Sequence, residues 1–328
     1  MIKIGIIGGA GYTSNELIKI LNNHPKVEIK NIVSTTYPGI PIEEIHQNLI
    51  GEITKRFSRK ITDEIDLLFL CIGHGQSKKI LKNICDKRNV DKINVIDLSN
   101  DFRMNNNSIF KKRRFKYGLP ELNKKILKKT NNIANPGCFA TAIQLAILPL
   151  AKSNLLKKNI HISAITGSTG AGRMKNEKLN FSWRNNNIST YKVFNHYHIM
   201  EVKQTINQLQ KKYNGKIYFI PYRGCFSRGI ISTLYTSIEL SFEEIKKLYY
   251  NFYKKNPFIF LSEKEIHLKQ VINTNKCIIN LNYFKKKVII TSIIDNLIKG
   301  ASGQAVQNMN IMFNFKETCG LKLTPLGV

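Results

Sequence analysis

Apolar residues along this chain follow two different periods, and the changes from one to the other mark out the elements. Residues 2–7 (IKIGII) are almost continuously apolar, as a parallel strand buried on both faces must be. A glycine turn, Gly8 to Gly11, leads into a helical spacing over Glu16–Leu21 that stops near Asn23-His24-Pro25. A second strand, Val27–Val33, completes a β-α-β unit. Further strand-like runs cover Leu67–Ile72 and Val90–Leu98, with a helical stretch over Ser77–Cys85 between them. Strands alternating with helices predict a doubly wound parallel sheet.

Beyond Pro136-Gly137 the pattern changes. A helix is predicted over Phe139–Ala151, then a strand over Ile160–Thr166 and a glycine-rich segment from Gly167 to Gly172. Strands over Ile217–Pro221, Gly229–Ile238, Cys277–Asn282 and Lys287–Ile294 follow, and an apolar-periodic helix over Ala301–Phe313 closes the chain. That pattern predicts an α+β domain with a mainly antiparallel sheet. The fold class expected is therefore α/β, a Rossmann-type parallel sheet plus an α+β domain.

Composition narrows the class. A chain of 328 residues with 42% hydrophobic residues can bury two sizeable cores. The net charge of +29 raises nucleic acid or an anionic membrane as partners. The lysines are spread almost evenly among Asn and Ile, as a drifted coding bias would leave them, and no nucleic-acid-binding signature accompanies them. The densest block, Lys111-Lys112-Arg113-Arg114, follows three asparagines and is expected to be an exposed loop. No nucleic-acid partner is expected. The longest apolar stretch, Ala142–Ala151, is too short to span a bilayer, so no membrane partner is expected either. Six cysteines lie far apart with no CxxC pair, and the first residues already form a strand, which argues against a secreted disulfide framework and for the reducing cytoplasm.

The candidate chemistry sits in four places. Gly8-x-x-Gly11, between a strand and a helix, lets a pyrophosphate approach the helix amino end. The end of the second strand, Val33-Ser34-Thr35-Thr36, carries hydroxyls and no carboxylate, which leaves room for a ribose 2′-phosphate and favours NADP. Cys138, in Asn135-Pro136-Gly137-Cys138, stands at a helix start, where unpaired N–H groups favour a thiolate nucleophile. His196-x-His198-x-x-Glu201 has three readings: a metal site with both imidazoles on one face of a strand, an acid/base histidine with an orienting carboxylate, or a packed surface pair. A nucleophilic cysteine upstream favours the second, and no metal is expected. Arg103, Arg223 and Arg228 lie in polar or glycine-rich turns and could fork onto phosphate or carboxylate.

In order along the chain, Gly8 to Thr13, Asp97-Leu98-Ser99 to Arg103, Tyr117 to Glu121, Asn135 to Cys138, Gly167 to Gly172, the His196 to Glu201 motif and Asp295 to Asn310 together closely resemble the N-acetyl-gamma-glutamyl-phosphate reductases of arginine biosynthesis. The resemblance implies a nucleotide domain of residues 1–137 and 298–328, with the last helix returning to it, around a catalytic and oligomerisation domain of residues 138–297. It implies an acyl-phosphate substrate, NADP as cofactor and a homo-oligomer, dimer or tetramer. It assigns Cys138 as nucleophile, and His196 or His198 as acid/base, with His198 preferred because it stands three residues before Glu201. Gly8, Gly11, Tyr12, Thr13, Ser34, Ser168, Gly170, Gly172 and Asn296 would face the cofactor, and Arg103, Arg228 and Arg223 the substrate. Aminoadipate or aspartyl phosphate are the alternative substrates, and a non-catalytic nucleotide- or RNA-binding protein is the alternative class. Four positions depart from the family pattern: Ser14 replaces the third glycine, Thr35-Thr36 lack an arginine, Met200 replaces a proline, and Arg223 stands where many relatives carry an apolar residue. The last departure raises an N-succinyl in place of an N-acetyl substrate, its extra carboxylate meeting Arg223.

Overall fold

A computed structural model describes residues 1–61, 64–85, 93–173 and 177–326. The chain divides into two compact units, Met1–Pro136 with Ala301–Lys322, and Gly137–Gly300 with Leu323–Val328.

The first unit is built on six parallel strands. They are β1 (Ile2–Ile7), β2 (Val27–Val33), β3 (Leu67–Leu70), β4 (Asn94–Asp97), β7 (Lys116–Tyr117) and β8 (Asn132–Ala134), with the hairpin β5 (Ile109–Phe110) and β6 (Arg113–Arg114) outside the sheet. Their order is β2-β1-β3-β4-β8-β7. Helices α1 (Tyr12–Asn22), α2 (Ile42–Ile45), α3 (Ser77–Cys85) and α4 (Pro120–Leu127) connect them. β3 is Leu-Leu-Phe-Leu, buried throughout, because helices cover both faces of a parallel sheet. The strand predicted over Val90–Leu98 is realised as β4, and residues 90–92 lie outside the described residues.

The second unit carries a seven-stranded sheet: β9 (Ile160–Thr166), β10 (Ser189–Thr190), β11 (Ile217–Arg223), β12 (Ile230–Ser237), β13 (Ile259–Ser262), β14 (Cys277–Phe284) and β15 (Lys287–Ile294). The order is β10-β11-β9-β12-β15-β14-β13, antiparallel except for the β11–β9 and β14–β13 pairs. Its helices are α5 (Cys138–Lys152), α6 (Phe181–Arg184), α7 (His198–Leu209) and α8 (Phe242–Tyr253). α5 is apolar all round and buried along its length, which is why its sequence shows no amphipathic stripe. No helix among the described residues is long and apolar enough to cross a membrane.

The last helix, α9 (Gly303–Met312), packs in the first unit, after a single π-helical turn over Ile298–Ser302. Its polar residues form a clasp. Gln304 and Asn308 both donate to the Gly118 carbonyl, and Asn308 also donates to Asn135 Oδ1. Gly118 is needed there, since a Cβ would lie 2.5 Å from the Asn308 side chain.

One expectation holds only in part. Lys111, Lys112 and Arg114 are exposed as expected, but the block is the turn and second strand of a hairpin, and Arg113 is buried. Lys111, with φ +51°, makes its turn, and strand alternation then carries Arg113 inward. The buried guanidinium donates to the Ile93 carbonyl and to Asn132 Oδ1.

Asp97, at the end of β4, is fully buried and accepts from both the Ser77 and Ser99 hydroxyls. Burial, opposed by those hydrogen bonds, raises its carboxyl from the ordinary 3.8 to about 6. The folded state therefore holds this proton more tightly than the unfolded chain, and the advantage is full below pH 3.8 and lost as pH rises through 6. The difference is worth at most about 3 kcal/mol. Asp97→Asn cannot titrate, so its stability relative to the unmodified protein should improve from pH 4.5 to pH 7 by about 1–3 kcal/mol in denaturant melts. A stability difference that is the same at both pH values would show that Asp97 does not titrate in this window.

Candidate active site

In the first unit, β1 ends in Ile7 and the chain turns through Gly8, whose φ of +87° suits glycine alone and where a Cβ would meet the Cys71 carbonyl oxygen at 2.2 Å. The N–H groups of Gly8 and Gly9 both donate to the Val33 carbonyl, which fixes the turn beside the end of β2. Gly11 then caps α1. A Cβ there would meet only Ser14 Oγ, at 3.7 Å, so the protein itself does not require a glycine at this point. The helix begins with no side-chain cap and no acidic residue in its first turn. An open glycine at an uncapped, positive helix end fits a pyrophosphate. Ser14, in place of a third glycine, is buried with its hydroxyl on the Gly11 carbonyl, so it fits inside the turn. Tyr12 and Thr13 open the helix, and the Ser302 hydroxyl donates to the Thr13 carbonyl.

Ser34 follows β2 directly and is buried, its hydroxyl accepting from the Tyr37 N–H. Thr35 and Thr36 are exposed. The glycine turn and this hydroxyl-bearing edge therefore stand side by side, with no carboxylate in the Ser34–Thr36 segment to oppose a 2′-phosphate. Arg103, also in the first unit, is buried and donates to the Asn135 and Leu98 carbonyls.

In the second unit, Cys138 is the first residue of α5, after Gly137 in an extended conformation with no side-chain cap. The Gly137 N–H donates to Glu201 Oε2 at 3.0 Å, so a buried carboxylate from α7 pins the backbone just before the cysteine. On its other side Cys138 meets Gly300, where a Cβ would stand 2.8 Å from the Cys138 Cβ. The side chain of Cys138 is half-buried.

The two histidines are brought to the same place by Phe139. Its ring meets those of His196, His198 and Phe219 edge-on, at 5.4, 6.2 and 5.3 Å between centroids. The strand face that the metal reading of the HxH motif would require is absent. His196 lies in the loop before α7 and His198 is the first residue of that helix, their rings 4.8 Å apart and tilted by 58°. The physical cause is the three-residue step to Glu201, which suits the first turn of a helix. The shared strand face on which the metal reading depended is thus missing. Among the described residues no group of three or more His, Cys, Asp or Glu side chains is placed to hold a metal.

The two imidazoles differ in their environments. Burial, then the charges of Lys192 and Arg223, lower the His196 pKa to about 4. Its Nδ1 accepts from the His198 N–H, which places the proton of the neutral ring on Nε2.

The glycine-rich Gly167–Gly172 segment is clamped to the turn before β12. The Ser168 N–H donates to the Phe226 carbonyl and the Thr169 N–H and hydroxyl to the Ser227 carbonyl. Asn296 braces both segments, accepting from the Gly229 N–H and donating to Thr169 Oγ1. Gly170 is tight against Thr166, whereas Gly172, with φ +76°, has open space around it. Arg228 is ion-paired with the fully buried Asp295 at 2.9 Å.

Two residues that sequence reading missed complete the site. Arg184 is buried, and its guanidinium donates to the carbonyls of Asn187, Arg223 and Gly224, which holds the end of β11. Tyr191 lies under the Arg223 guanidinium, 4.6 Å from ring centroid to carbon. Burial, then the negative charge of a Cys138 thiolate, keep its phenol protonated. Both lie in an Asn-rich stretch without periodicity or motif, so neither carried a signal.

Comparison with known proteins places this geometry in a family. The model of the semialdehyde dehydrogenase NAD binding domain matches residues 3–130, and that of the semialdehyde dehydrogenase dimerisation domain matches residues 138–296. Over the full length of both chains, the protein is 80% identical to the N-acetyl-gamma-glutamyl-phosphate reductase of Karelsulcia muelleri and 53% identical to that of Flavobacterium johnsoniae. The reductase of Bacteroides fragilis is 49% identical, with 99% of each chain covered. Among solved structures, aspartate semialdehyde dehydrogenase II of Vibrio cholerae aligns with a TM-score of 0.71 at 13% identity, covering 96% of this chain and 98% of its own. The aspartate semialdehyde dehydrogenase of Candida albicans gives 0.70 at 12%, covering 95% and 98%. These last two show the fold. The chain is a member of the semialdehyde dehydrogenase family and, within it, of the N-acetyl-gamma-glutamyl-phosphate reductases.

Proposed function

We propose that this protein reduces N-acetyl-gamma-glutamyl phosphate to N-acetylglutamate 5-semialdehyde and phosphate with NADPH, through a thioester on Cys138. The observation that carries the reading is the nucleophile turn: a cysteine at an uncapped helix start, its preceding N–H pinned by Glu201 and its next residue, Phe139, packed against both histidines. Full-length identity to reductases of this name supports the substrate.

The first unit holds the cofactor, with the pyrophosphate at Gly8, Gly11 and the amino end of α1, Tyr12 and Thr13 in its first turn, and Ser34 at the 2′-phosphate. Ser168, Gly170, Gly172 and Asn296 form a second ligand-facing loop. When bound, NADPH supplies hydride. The residues of the chain do the rest. The Cys138 sulfur attacks the γ-carbonyl carbon, the bond from that carbon to the phosphate oxygen breaks, and inorganic phosphate leaves with the electron pair, with Arg103 offered to its charge. A thioester is needed because it accepts hydride where a free carboxylate resists it. After reduction the thiohemiacetal oxygen loses its proton as the carbon–sulfur bond breaks and the thiolate is regenerated.

His198 is the proton carrier in this scheme. The basic nitrogen of His196 is already engaged by the His198 N–H, and its neutral ring is suited to donating a hydrogen bond from Nε2. Glu201 acts as a positioning residue for Cys138 through Gly137. Thiolate chemistry at Cys138 suits a reducing compartment, and the cytoplasm is the assigned location.

The outer face of the second sheet supports a homo-oligomer. His161 stacks between Tyr218 and Tyr235, at 5.0 and 4.8 Å, beside exposed Ser163. A second copy of the chain covers this face, consistent with the dimerisation domain matched there. Ser163→Arg should convert the oligomer to monomers in sedimentation velocity. An unchanged sedimentation coefficient would place the interface elsewhere.

Purified protein should reduce NADP when given N-acetylglutamate semialdehyde and phosphate. Cys138→Ser should lower that rate by roughly three orders of magnitude while NADP binding stays intact, and iodoacetamide should label Cys138 first near neutral pH. Near-normal turnover in the variant would overturn the covalent route. The enzyme should prefer NADP to NAD, and Ser34→Asp should reverse the preference by repelling the 2′-phosphate. Equal kcat/KM for the two cofactors in the unmodified protein would contradict the assignment of Ser34.

A further inference from the structure

Three arginines of the second unit, Arg184, Arg223 and Arg228, are candidates for a ligand, and two of them are engaged by the protein. Arg184 donates to backbone carbonyls, and Arg228 is paired with Asp295. Arg223 is different: among the described residues no carboxylate pairs with it and no backbone carbonyl accepts from it, while its Nε–H, like those of Arg184 and Arg228, is shielded from solvent with no acceptor.

Its placement is set by the strand. Side chains on β11 alternate between faces, so Phe219, Pro221 and Arg223 share one face. Phe219 packs edge-on against Phe139 and His196, which fixes that face as the one carrying α5. Arg223 therefore ends a row that runs along the catalytic side of the sheet. Its backbone carbonyl is held by Arg184, and its guanidinium carbon lies 4.6 Å from the Tyr191 ring centroid, with a side-chain hydrogen bond to the Tyr191 phenol. Tyr191 in turn packs edge-on against His196 at 5.6 Å. A guanidinium carries five N–H donors, so Arg223 keeps several beyond the one shared with the Tyr191 phenol, and that fork matches a carboxylate.

We propose that Arg223 is a specificity residue that receives a carboxylate of the substrate in a bidentate pair, with the Tyr191 ring as its platform. The proposal rests on the reductase reading given above. Two sources supply this chemistry: the α-carboxylate of the glutamyl group, or a terminal carboxylate on a dicarboxylic N-acyl group such as N-succinyl.

The test compares N-acetyl- and N-succinylglutamate 5-semialdehyde, with phosphate and NADP, in the unmodified enzyme, Arg223→Leu and Arg223→Lys. If the α-carboxylate is the ligand, Arg223→Leu lowers kcat/KM for both by about ten- to a hundredfold, and converting that carboxylate to an amide removes the difference between enzyme and variant. If the acyl carboxylate is the ligand, the unmodified enzyme accepts the succinyl form at least as well, and Arg223→Leu lowers succinyl turnover at least tenfold more than acetyl turnover. Arg223→Lys falls between in either case, since it keeps the charge and loses the fork. A second readout needs no cofactor: N-acetyl- or N-succinylglutamate should protect Cys138 from iodoacetamide in the unmodified protein, and the protection should weaken at least tenfold in Arg223→Leu. Equal protection, with turnover of both semialdehydes within twofold, would overturn the proposal and leave the reductase reading standing. If the unmodified enzyme oxidises neither semialdehyde, the reductase reading fails, and the protection assay still decides whether Arg223 is a carboxylate receptor.

Discussion

The hydrogen bond from the Gly137 N–H to Glu201 fixes the start of α5, and the chemistry of the second unit depends on where that helix starts. A helix start one residue later would remove Cys138 from the unpaired N–H groups that make it a nucleophile. The carboxylate comes from the first turn of α7, so the same bond fixes the register of His198 relative to the cysteine. Gly300 closes the other side, since a larger residue there would displace the cysteine. Histidine, carboxylate and nucleophile are thus tied together by backbone geometry rather than by long flexible side chains.

The first unit uses an opposite strategy. At Gly11 and the start of α1 the protein leaves polar groups uncapped and space unfilled, so that a ligand can supply what is missing. The α9 clasp is filled by the protein's own side chains: Gln304 and Asn308 both donate to the Gly118 carbonyl, and Asn308 also donates to Asn135. Polar residues in that C-terminal motif therefore hold the fold as firmly as any apolar contact would.

Much of this was legible in the sequence. Continuous apolar runs marked the parallel strands, and β2, β9 and β15 coincide end to end with the runs Val27–Val33, Ile160–Thr166 and Lys287–Ile294. Cys138 was legible because Pro136-Gly137 punctuates the chain before an apolar helix. The three-residue step from His198 to Glu201, which favoured His198 in the sequence, falls in the first turn of α7. Two features were not legible. Arg113 looked solvated because a two-residue hairpin has too few positions to display alternation. Arg184 and Tyr191 act through tertiary neighbours far along the chain, which no local pattern records.

The central claim is that bond exchange at Cys138 precedes hydride transfer, and it can be read without any turnover. Enzyme mixed with N-acetyl-gamma-glutamyl phosphate in the absence of NADPH, quenched rapidly in acid, should show by intact-protein mass one N-acetylglutamyl adduct per chain. Peptide mapping should place it on Cys138, with about one phosphate released per site. Phosphate release only when NADPH is present, with Cys138 recovered unmodified, would contradict the account.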